Sequence, residues 1–380
     1  MKNIFYWSPH IDHVATVRAV INSAYSLVRY SKQKYIPYLI NVAGEWDQYQ
    51  DELSKKQINI INLTNSKILK KKVFKGFLKS RIIYFYIFII SFLPLLRLLK
   101  NKKTDYLIAH LITPLPLIVN FFFKNHTKLI LRISGLPKLQ NLRLLIWKIT
   151  LKKIHLITCP TLGTKEYLTN LNIVNQNKIS LLYDPAISPS LINKTKKDFA
   201  KKLRVNNYYL AIGRLTKQKN FSFLINSFSK FNLNRDNRLI IVGEGEERKK
   251  LEKIIDEEKL EDSVELAGYQ NNVFSFFERS KCFILSSLWE DPGFVILEAG
   301  FSNKFVISSD CKNGPKEILD NGNNGILFKS NDQLSLIQAL EKFEHLSEKE
   351  KFQYKLNLKK KVRSFSLISH YKILNKLLSF

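Results

Sequence analysis

Short hydrophobic runs alternate along the chain with longer segments in which hydrophobic residues recur at helical spacing. Runs of this length, bounded by polar residues, are typical of strands buried on both faces of a parallel sheet, and the segments between them predict covering helices. The strand candidates are residues 3–8, 35–42, 58–63, 105–111, 128–134, 155–160, 178–184, 208–213, 238–243, 263–268, 282–287, 304–309 and 325–328. The alternation therefore predicts an α/β fold.

A polar, lysine-rich segment, residues 185–206, divides these candidates into two series. Because 380 residues exceed what one core normally organises, we expect two Rossmann-like parallel-sheet domains, over residues 1–190 and 207–362. Helical patterns near 331–345 and over 363–380 end the chain, and the last helix is expected to pack back towards the first domain. Two such sheets facing across a cleft would present to it the carboxyl ends of their strands, where ligands of open α/β sheets bind.

One uncharged segment departs from this rhythm. Residues 82–96, "IIYFYIFIISFLPLL", are preceded by a lysine-rich stretch and followed by "RLLKNKK". Three interpretations are open: a buried helix that feeds the strand at 105, a helix or helix hairpin in the membrane interface with its lysines on anionic headgroups, and a transmembrane span. The segment falls short of the ~20 apolar residues that a span requires.

Basic residues are concentrated in the first half of the chain. The formal charge is +29; residues 1–200 hold 31 Lys/Arg against 9 Asp/Glu, net +22, and residues 201–380 hold 30 against 23, net +7. Compositional drift would act on both halves alike, so the local excess indicates a surface that meets an anionic partner, or else a solvated basic face. A nucleic-acid partner would explain the charge too, but no recognised binding motif is present, and we expect no nucleic acid.

Cysteine content and the N-terminus bear on location. Three cysteines, an odd number without a CxxC pair, argue against a disulfide framework and for a reducing compartment. The first residues contain too short an apolar run for the core of a signal peptide. We therefore expect a cytoplasmic protein.

Two strand-to-helix turns in the second half carry residues suited to a phosphate ligand. "AIGRLTKQKN" turns at Gly213 and presents Arg214 and Lys219 before an amphipathic helix, where cations, free amides and the helix dipole would favour a diphosphate. "VGEGEE" follows the next strand, and Gly243 there would let the backbone approach a ligand closely. A solvated lysine and an ordinary glycine turn are the alternatives.

The stretch "SLWEDPGFVILEAG" places Glu290 and Glu298 eight positions apart around a Pro-Gly break. We expect Glu290 in the loop at the carboxyl end of a buried strand and Glu298 about a turn and a half into the next helix. The first amides of that helix, open to phosphate oxygens, would belong to Gly293, Phe294 and Val295. One carboxylate could reach a sugar while the other accepts hydrogen bonds from ribose hydroxyls, since an ionised carboxylate offers only acceptors. A capping acid followed by a surface glutamate would have the same spacing.

Five segments together resemble the C-terminal half of the family 4 retaining glycosyltransferases, a nucleotide-sugar-dependent group with the GT-B fold. The segments are "GRLTKQKN", "VGEGEERKKLE", "LAGYQNN", "SLWEDPGFVILEAG" and "NGPKEILDNGNNGILF", and their order and spacing match from about residue 207 to 330. The family's E-x7-E signature falls on Glu290 and Glu298, and its Arg-x4-Lys pair falls on Arg214 and Lys219.

The resemblance implies a role for each matched residue. Arg214 and Lys219 would bind the diphosphate of the donor, and Glu298 would bind its ribose. Glu290 would contact the transferred sugar near the reacting centre, as the catalytic carboxylate. The nucleobase would lie next to Gly243 and Tyr269, at the ends of two predicted strands.

This chain departs from the family pattern in two loops. Many members read E-G-F-G after the first acid, where this chain has Glu290-Asp291-Pro292-Gly293, so the contacts to the donor sugar differ. A Gly-Gly loop often follows the first strand in the family, and Val14-Ala15 stands here instead, which restricts close approach of the backbone to a ligand.

One histidine is a second catalytic candidate. His110 closes the predicted strand "DYLIAH", and family members often carry a histidine thereabouts, which could bond a sugar hydroxyl or the acceptor; a satisfied strand-end histidine is the alternative. No His/Cys/Asp cluster has metal-ligand spacing and no D-x-D is present, so we expect a metal-independent enzyme without a cofactor.

We therefore expect a retaining glycosyltransferase of the hexosyltransferase type with the GT-B fold. It would move a sugar from a nucleoside-diphosphate sugar to a hydroxyl of a lipid-linked glycan acceptor, in bacterial lipopolysaccharide, O-antigen or capsule assembly. The basic first half would hold it at an anionic membrane surface, peripheral on the cytoplasmic face. A non-catalytic partner subunit of the same fold and a nucleotide-sugar epimerase of related fold are the alternatives.

Overall fold

The computed structural model describes residues 1–11, 15–70, 77–101, 103–137, 141–186 and 206–379. The chain divides into two compact units. Unit 1 comprises Met1–Ala186 and Ser366–Phe380, and unit 2 comprises Ile187–Phe365. Most of the segment expected to connect the two domains, residues 185–206, lies outside the described residues.

Unit 1 is built on a seven-stranded parallel sheet with the strand order β3-β2-β1-β4-β5-β6-β7. The strands are β1 (Lys2–Trp7), β2 (Tyr35–Asn41), β3 (Asn59–Asn62), β4 (Tyr106–Ala109), β5 (Lys128–Arg132), β6 (Leu156–Cys159) and β7 (Ile179–Leu181). The helices between them are α1 (Ala15–Tyr30), α2 (Gln50–Lys55), α3 (Phe77–Lys100), α4 (Pro114–Phe122), α5 (Asn141–Thr150) and α6 (Leu162–Asn170).

Unit 2 repeats this architecture with a six-stranded parallel sheet in the order β10-β9-β8-β11-β12-β13. The strands are β8 (Tyr208–Ile212), β9 (Leu239–Val242), β10 (Val264–Gly268), β11 (Ser280–Leu285), β12 (Phe305–Ser309) and β13 (Ile326–Phe328). The helices are α7 (Phe221–Phe231), α8 (Arg248–Glu257), α9 (Phe274–Arg279), α10 (Phe294–Phe301), α11 (Pro315–Ile318), α12 (Gln333–His345) and α13 (Glu348–Val362).

The predicted α/β fold with two parallel sheets is confirmed. Each of the thirteen predicted strands is present, with ends displaced by at most three residues. The central strands are buried along their whole length, as in "YYLAI" of β8 and "LIIV" of β9, because helices cover both faces of the sheet. Because of this burial on both faces, the strands are continuous hydrophobic runs, which could be identified in the sequence.

The hydrophobic pattern did not predict helix α13. Its sequence is rich in lysine, and of its fifteen residues only Leu358 and Val362 are buried. A capping box between Ser347 and Glu350 stabilises its first turn, and Gly300 of α10 admits the two buried side chains, since a Cβ there would lie 2.8 Å from Val362 and 2.9 Å from Leu358. Capping and a local contact thus form a helix where apolar periodicity is weak.

The last helix, α14 (Leu367–Leu377), packs on α1 within unit 1. His370 of α14 is buried, and its ring nitrogens lie 2.8 Å from Ser23 Oγ and 2.7 Å from Tyr183 O. Near the other end of the helix, the Tyr106 hydroxyl donates to Leu378 O at 2.8 Å. The end of the chain thereby completes the helical layer on one face of the first sheet.

Helix α3 contains the uncharged segment, and its two faces differ. Ile83, Ile87, Leu95 and Leu99 are buried in the core of unit 1. The opposite face is apolar as well and exposed. Its large side chains are Ile82, Phe85, Ile89 and Leu93, which are 57–69% exposed, with Tyr84 and Tyr86 about 40% exposed. In the described part of the chain one segment, Arg81–Lys100, is long and apolar enough to cross a bilayer, and only 28% of it is buried.

Candidate active site

The carboxyl ends of β8 and β11 form the topological switch point of the second sheet. Helices leave these adjacent strands in opposite directions along the sheet order, and the loops that follow them diverge, which is where open α/β sheets bind their ligands. The loop after β8 carries Arg214 and Lys219, and the loop after β11 carries Glu290. The fold therefore brings three of the predicted site residues to one place.

Main-chain and side-chain hydrogen bonds join these two loops. The Ser286 hydroxyl donates to Lys219 O at 2.7 Å, the Leu288 amide donates to Gln218 O at 2.9 Å, and the Gln218 side chain donates to Trp289 O at 2.8 Å. The two segments consequently form one rigid unit around the switch point.

Lys219 and Glu290 form a buried ion pair across this junction. Lys219 Nζ lies 2.5 Å from Glu290 Oε1, and the side chains are only 12% and 7% exposed. The Ser287 hydroxyl donates to the same carboxylate oxygen at 2.6 Å. Two charges this deeply buried require each other and further hydrogen bonds, because the loss of hydration is costly.

Arg214 is exposed, in contrast to Lys219. Its guanidinium makes no hydrogen bond or ion pair with any residue that the structure describes, whereas its carbonyl accepts from Thr216 N at 2.8 Å. Such a guanidinium, on a backbone that is fixed at a strand end, is suited to bind an anionic ligand. It could bind a diphosphate in bidentate fashion.

Helix α10 begins where the sequence predicted. Gly293 adopts φ 92°, a conformation that favours glycine, and the amides of Phe294 and Val295 open the helix. The loop before it, which contains a cis Asp291–Pro292 peptide, packs tightly against Gly314, since a Cβ there would lie 2.0 Å from Pro292 O. The first amides of an eight-residue helix and its positive dipole end thus adjoin Glu290.

Glu298 lies in the second turn of α10, as predicted; part of the residue is exposed, whereas its carboxyl group is buried. Burial raises the pKa of its carboxyl from 4.5 to about 7, and the positive charge of nearby Lys219 acts in the opposite direction. The electrostatic contact with Lys219 links both acids of the E-x7-E signature to one cation.

The two predicted base-binding residues end neighbouring strands. Gly243 follows β9 with φ 149°, and a Cβ there would lie 1.8 Å from Gly213 O, so only glycine permits the observed approach of the two turns. Its amide donates to Gly268 O at 2.9 Å. Tyr269 follows β10 and is 70% exposed. The turns after β8, β9 and β10 therefore form a continuous backbone surface.

His110 lies in unit 1, directly after β4, and is buried. It lines a small interior cavity together with Arg132, Thr158, Asp184 and His370, and its Nε2 has no hydrogen-bond partner among the described residues. Burial, followed by the positive charge of neighbouring Arg132, lowers the pKa of His110 well below 6.5, which keeps the imidazole neutral.

Sequence analysis missed several residues that hold this site together. Ser287 and Gln218 contact the site through the hydrogen bonds given above, and Cys311 lies near Glu290 with a pKa raised by burial to about 11. Paired serines after the buried strands, in "LSSLWE" and "ISSD", were the available signal. No group of three or more His, Cys, Asp or Glu side chains within the described ranges could hold a metal ion.

The sequence matches a known family over its second half. Residues 193–361 match the family model of glycosyl transferases group 1, which confirms the resemblance inferred from the motifs. An uncharacterised glycosyltransferase of Methanocaldococcus jannaschii is 33% identical over 244 residues, 59% of this chain and 60% of the relative. The N-acetylgalactosamine-N,N'-diacetylbacillosaminyl-diphospho-undecaprenol 4-alpha-N-acetylgalactosaminyltransferase of Campylobacter jejuni is 27% identical over 226 residues, 57% of this chain and 60% of the relative. The chain thus spans about three fifths of the length of these relatives.

Solved structures resemble the chain over its whole length. A glycosyltransferase from Rickettsia africae has a TM-score of 0.77 at 18% identity, with 100% of this chain and 98% of that chain covered. The Anabaena protein HepE, solved in complex with UDP, has a TM-score of 0.71 at 16% identity, with both chains covered completely. At these identities the likeness concerns the fold, which is GT-B as expected.

Proposed function

We propose that this chain, whose residues 193–361 match the family model of glycosyl transferases group 1, transfers a sugar from a nucleoside-diphosphate sugar to a hydroxyl of a lipid-linked glycan. The observation that carries the proposal is the set of charged groups at the switch point of unit 2. The loop after β8 carries an exposed guanidinium without a partner among the described residues, and a buried ammonium–carboxylate pair joins this loop to the one that leads into the first amides of α10. This combination is suited to an anionic leaving group next to a polyol.

The chemistry follows from where charge develops during transfer. Cleavage of the bond between the anomeric carbon and the diphosphate leaves negative charge on the diphosphate. Arg214, Lys219 and the amides of Gly293, Phe294 and Val295 would stabilise that charge in a preorganised setting. Glu290, held by Lys219, would bind a hydroxyl of the transferred sugar, and Glu298 would accept from the ribose.

Retention of the anomeric configuration is part of the proposal. The acceptor oxygen would attack the anomeric carbon from the face that the diphosphate leaves, and the acceptor proton would pass to a leaving diphosphate oxygen. This route requires no basic side chain at the reacting centre. His110, which is neutral and buried in unit 1, would then serve in the packing of that unit or in acceptor binding.

Nucleotide binding tests the donor site. Thermal unfolding of the wild-type protein should shift upwards with one of UDP, GDP or ADP at millimolar concentration, and more strongly with the matching nucleotide sugar. UDP is the first candidate because HepE was solved with it. An unfolding temperature that responds to none of these nucleotides would contradict the proposed function. Release of nucleotide from the donor, and NMR of the product's anomeric centre, would then test transfer and retention.

A polyprenyl-linked acceptor is favoured by the relatives and by charge. The Campylobacter relative is named for a diphospho-undecaprenol substrate. Residues 1–200 carry a net charge of +22, which would concentrate the protein at the anionic inner face of a bacterial membrane. We therefore propose a peripheral enzyme of surface-glycan assembly.

Helix α3 would make the apolar part of that membrane contact. Its inner face belongs to the core of unit 1, so the helix would have to leave the core to cross a bilayer as a separate span. Its outer face carries Phe85 and Ile89, 67% and 57% exposed, and tyrosines that favour the headgroup boundary. Arg97 and Lys100 near its end are exposed and basic. This distribution is typical of a helix that lies in the membrane interface.

Flotation with liposomes tests the proposed contact of the protein with a membrane. Wild-type protein should float with vesicles that contain phosphatidylglycerol and much less with pure phosphatidylcholine, and salt should weaken binding. Phe85→Asp combined with Ile89→Asp should reduce flotation at least about fivefold, because two charges would enter the apolar boundary. Leu334→Asp, at a position 71% exposed in unit 2, is the matched control. Equal flotation of both variants and the wild type would remove α3 from the proposal.

A further inference from the structure

Two serine pairs end neighbouring strands of the second sheet. Ser286 and Ser287 follow β11, and Ser308 and Ser309 end β12. All four side chains are at most 1% exposed. Hydroxyls this deeply buried are normally hydrogen-bonded, so their partners indicate what each of them holds in place.

The first pair divides its hydrogen bonds between the two charged residues of the site. Ser286 Oγ donates to the main-chain oxygen of Lys219 at 2.7 Å, and Ser287 Oγ donates to Glu290 Oε1 at 2.6 Å. Two consecutive residues of one strand end therefore hold the backbone of the cation and the carboxylate of the acid.

Ser287 and Lys219 together fix the orientation of the Glu290 carboxylate. Oε1 of Glu290 accepts from both Ser287 Oγ and Lys219 Nζ, whereas Oε2 accepts from no residue in the described part of the chain. The terminal torsion of a glutamate side chain is broad, so a carboxylate without hydrogen bonds samples a wide range of orientations. Two donors on one oxygen restrict that torsion, and the other oxygen can still accept a hydrogen bond from a ligand.

One member of the second pair, Ser309, holds Ser287 itself, whereas Ser308 Oγ donates to Ser309 O at 3.0 Å. Ser309 is the last residue of β12, and its Oγ donates to Ser287 O at 2.7 Å. A chain of hydrogen bonds thus runs from β12 through Ser287 to Glu290, and its members are buried. Positions fixed to this degree are typical of groups that support a reacting side chain.

We propose that Ser287 is the positioning residue for Glu290, which it orients towards the transferred sugar of a nucleotide-sugar donor; this rests on the proposed function. Ser287 acts through the carboxylate and does not touch the donor. Its contribution therefore belongs to the alignment of Glu290 in the transition state, whereas binding of the nucleotide depends on Arg214, on Glu298 and on the backbone.

The test compares steady-state nucleotide release from the matching nucleotide sugar for three variants. Ser287→Ala should lower kcat about 10- to 100-fold, as expected for a lost hydrogen bond to a charged group, with KM for the donor changed less than about threefold. Ser287→Thr, which keeps the hydroxyl, should recover most of the rate. Ser280→Ala is the matched control: Ser280 begins the same strand, is 4% exposed, and donates to Phe277 O at 2.9 Å.

The outcomes separate this assignment from the proposed function. If the wild type turns over nucleotide sugar and Ser287→Ala is as active as Ser280→Ala, the positioning role is wrong and the proposed function stands. The role is wrong as well if Ser287→Ala loses activity and Ser287→Thr recovers none of it, provided that a thermal unfolding curve shows Ser287→Thr to be folded. A wild type that neither binds nor turns over any nucleotide sugar overturns both.

Discussion

Lys219 Nζ and Glu290 Oε1 lie 2.5 Å apart in a junction from which water is largely excluded. The cation that would bind the diphosphate is thereby partly neutralised by the acid that would bind the sugar. Arg214, which has no such partner among the described residues, carries the unneutralised positive charge of the site. The two cations therefore differ in role although both belong to one sequence motif.

The buried pair predicts strong coupling in a double-mutant cycle. Lys219→Ala and Glu290→Ala should each lower the free energy of unfolding by about 3–5 kcal/mol, because each leaves a buried charge without its partner. The double variant should be destabilised by clearly less than the sum of the two. Urea unfolding monitored by fluorescence measures all four proteins. Additive effects within about 0.5 kcal/mol would show that the pair does not form in solution.

For Arg214 we expect a loss of activity without a loss of stability. Arg214→Ala should leave the free energy of unfolding within about 0.5 kcal/mol of the wild type, because the side chain is exposed and forms no ion pair with the residues that the structure describes. Its turnover of nucleotide sugar should fall about 100-fold or more, as for other lost contacts to a developing charge. Arg238→Ala, an exposed arginine just before β9, is the matched control. Full activity of Arg214→Ala would refute its diphosphate role.

The raised pKa of Glu298 predicts that the free energy of unfolding depends on pH. Its folded-state pKa of about 7 exceeds the ordinary 4.5, so the native state binds more protons than the unfolded state between these values, and stability falls as pH rises through that window. Glu298→Gln removes this titration and should be more stable than the wild type at pH 8 by up to about 3 kcal/mol, with the gain lost near pH 4. Chemical unfolding at both pH values measures the difference. The exposed Glu261→Gln should show no such trend; the same pH-independence in Glu298→Gln would mean that the carboxyl is not desolvated.

Two glycines with nearly equal φ angles should differ in how much their replacement by alanine lowers the free energy of unfolding. Gly314 and Gly322 have φ 102° and 104°, but a Cβ at Gly314 would lie 2.0 Å from Pro292 O, whereas nothing lies within 4 Å at Gly322. Gly322→Ala should cost about 1–2 kcal/mol of backbone strain. Gly314→Ala should cost more and should also lower nucleotide-sugar turnover at least about tenfold, because the loop before α10 must move. Unfolding curves and turnover of both variants check this, and equal losses would contradict the tight packing.

Most strands and several site positions could be predicted from local pattern. The predicted run 282–287 became β11, two residues earlier along the chain, because its apolar part "CFIL" is buried by helices on both faces of the sheet. Helix α10 begins at Phe294, directly after Gly293, whose positive φ favours glycine. Helix α13 could not be predicted in this way, because capping at Ser347 and contacts of two residues with Gly300 replace an apolar face.

The sequence alone determined the strands, the turns between them and the ionisable groups available at each turn, because burial on both faces of a sheet imposes a pattern that is local. The tertiary structure decided which groups meet. Lys219 and Glu290 are 71 positions apart and pair only because β8 and β11 are neighbours in the sheet. Likewise, only the packing of α3 on unit 1 decided that Phe85 and Ile89 face outwards while Ile83 and Ile87 are buried, because a helix that is apolar all round does not encode which side the core will cover.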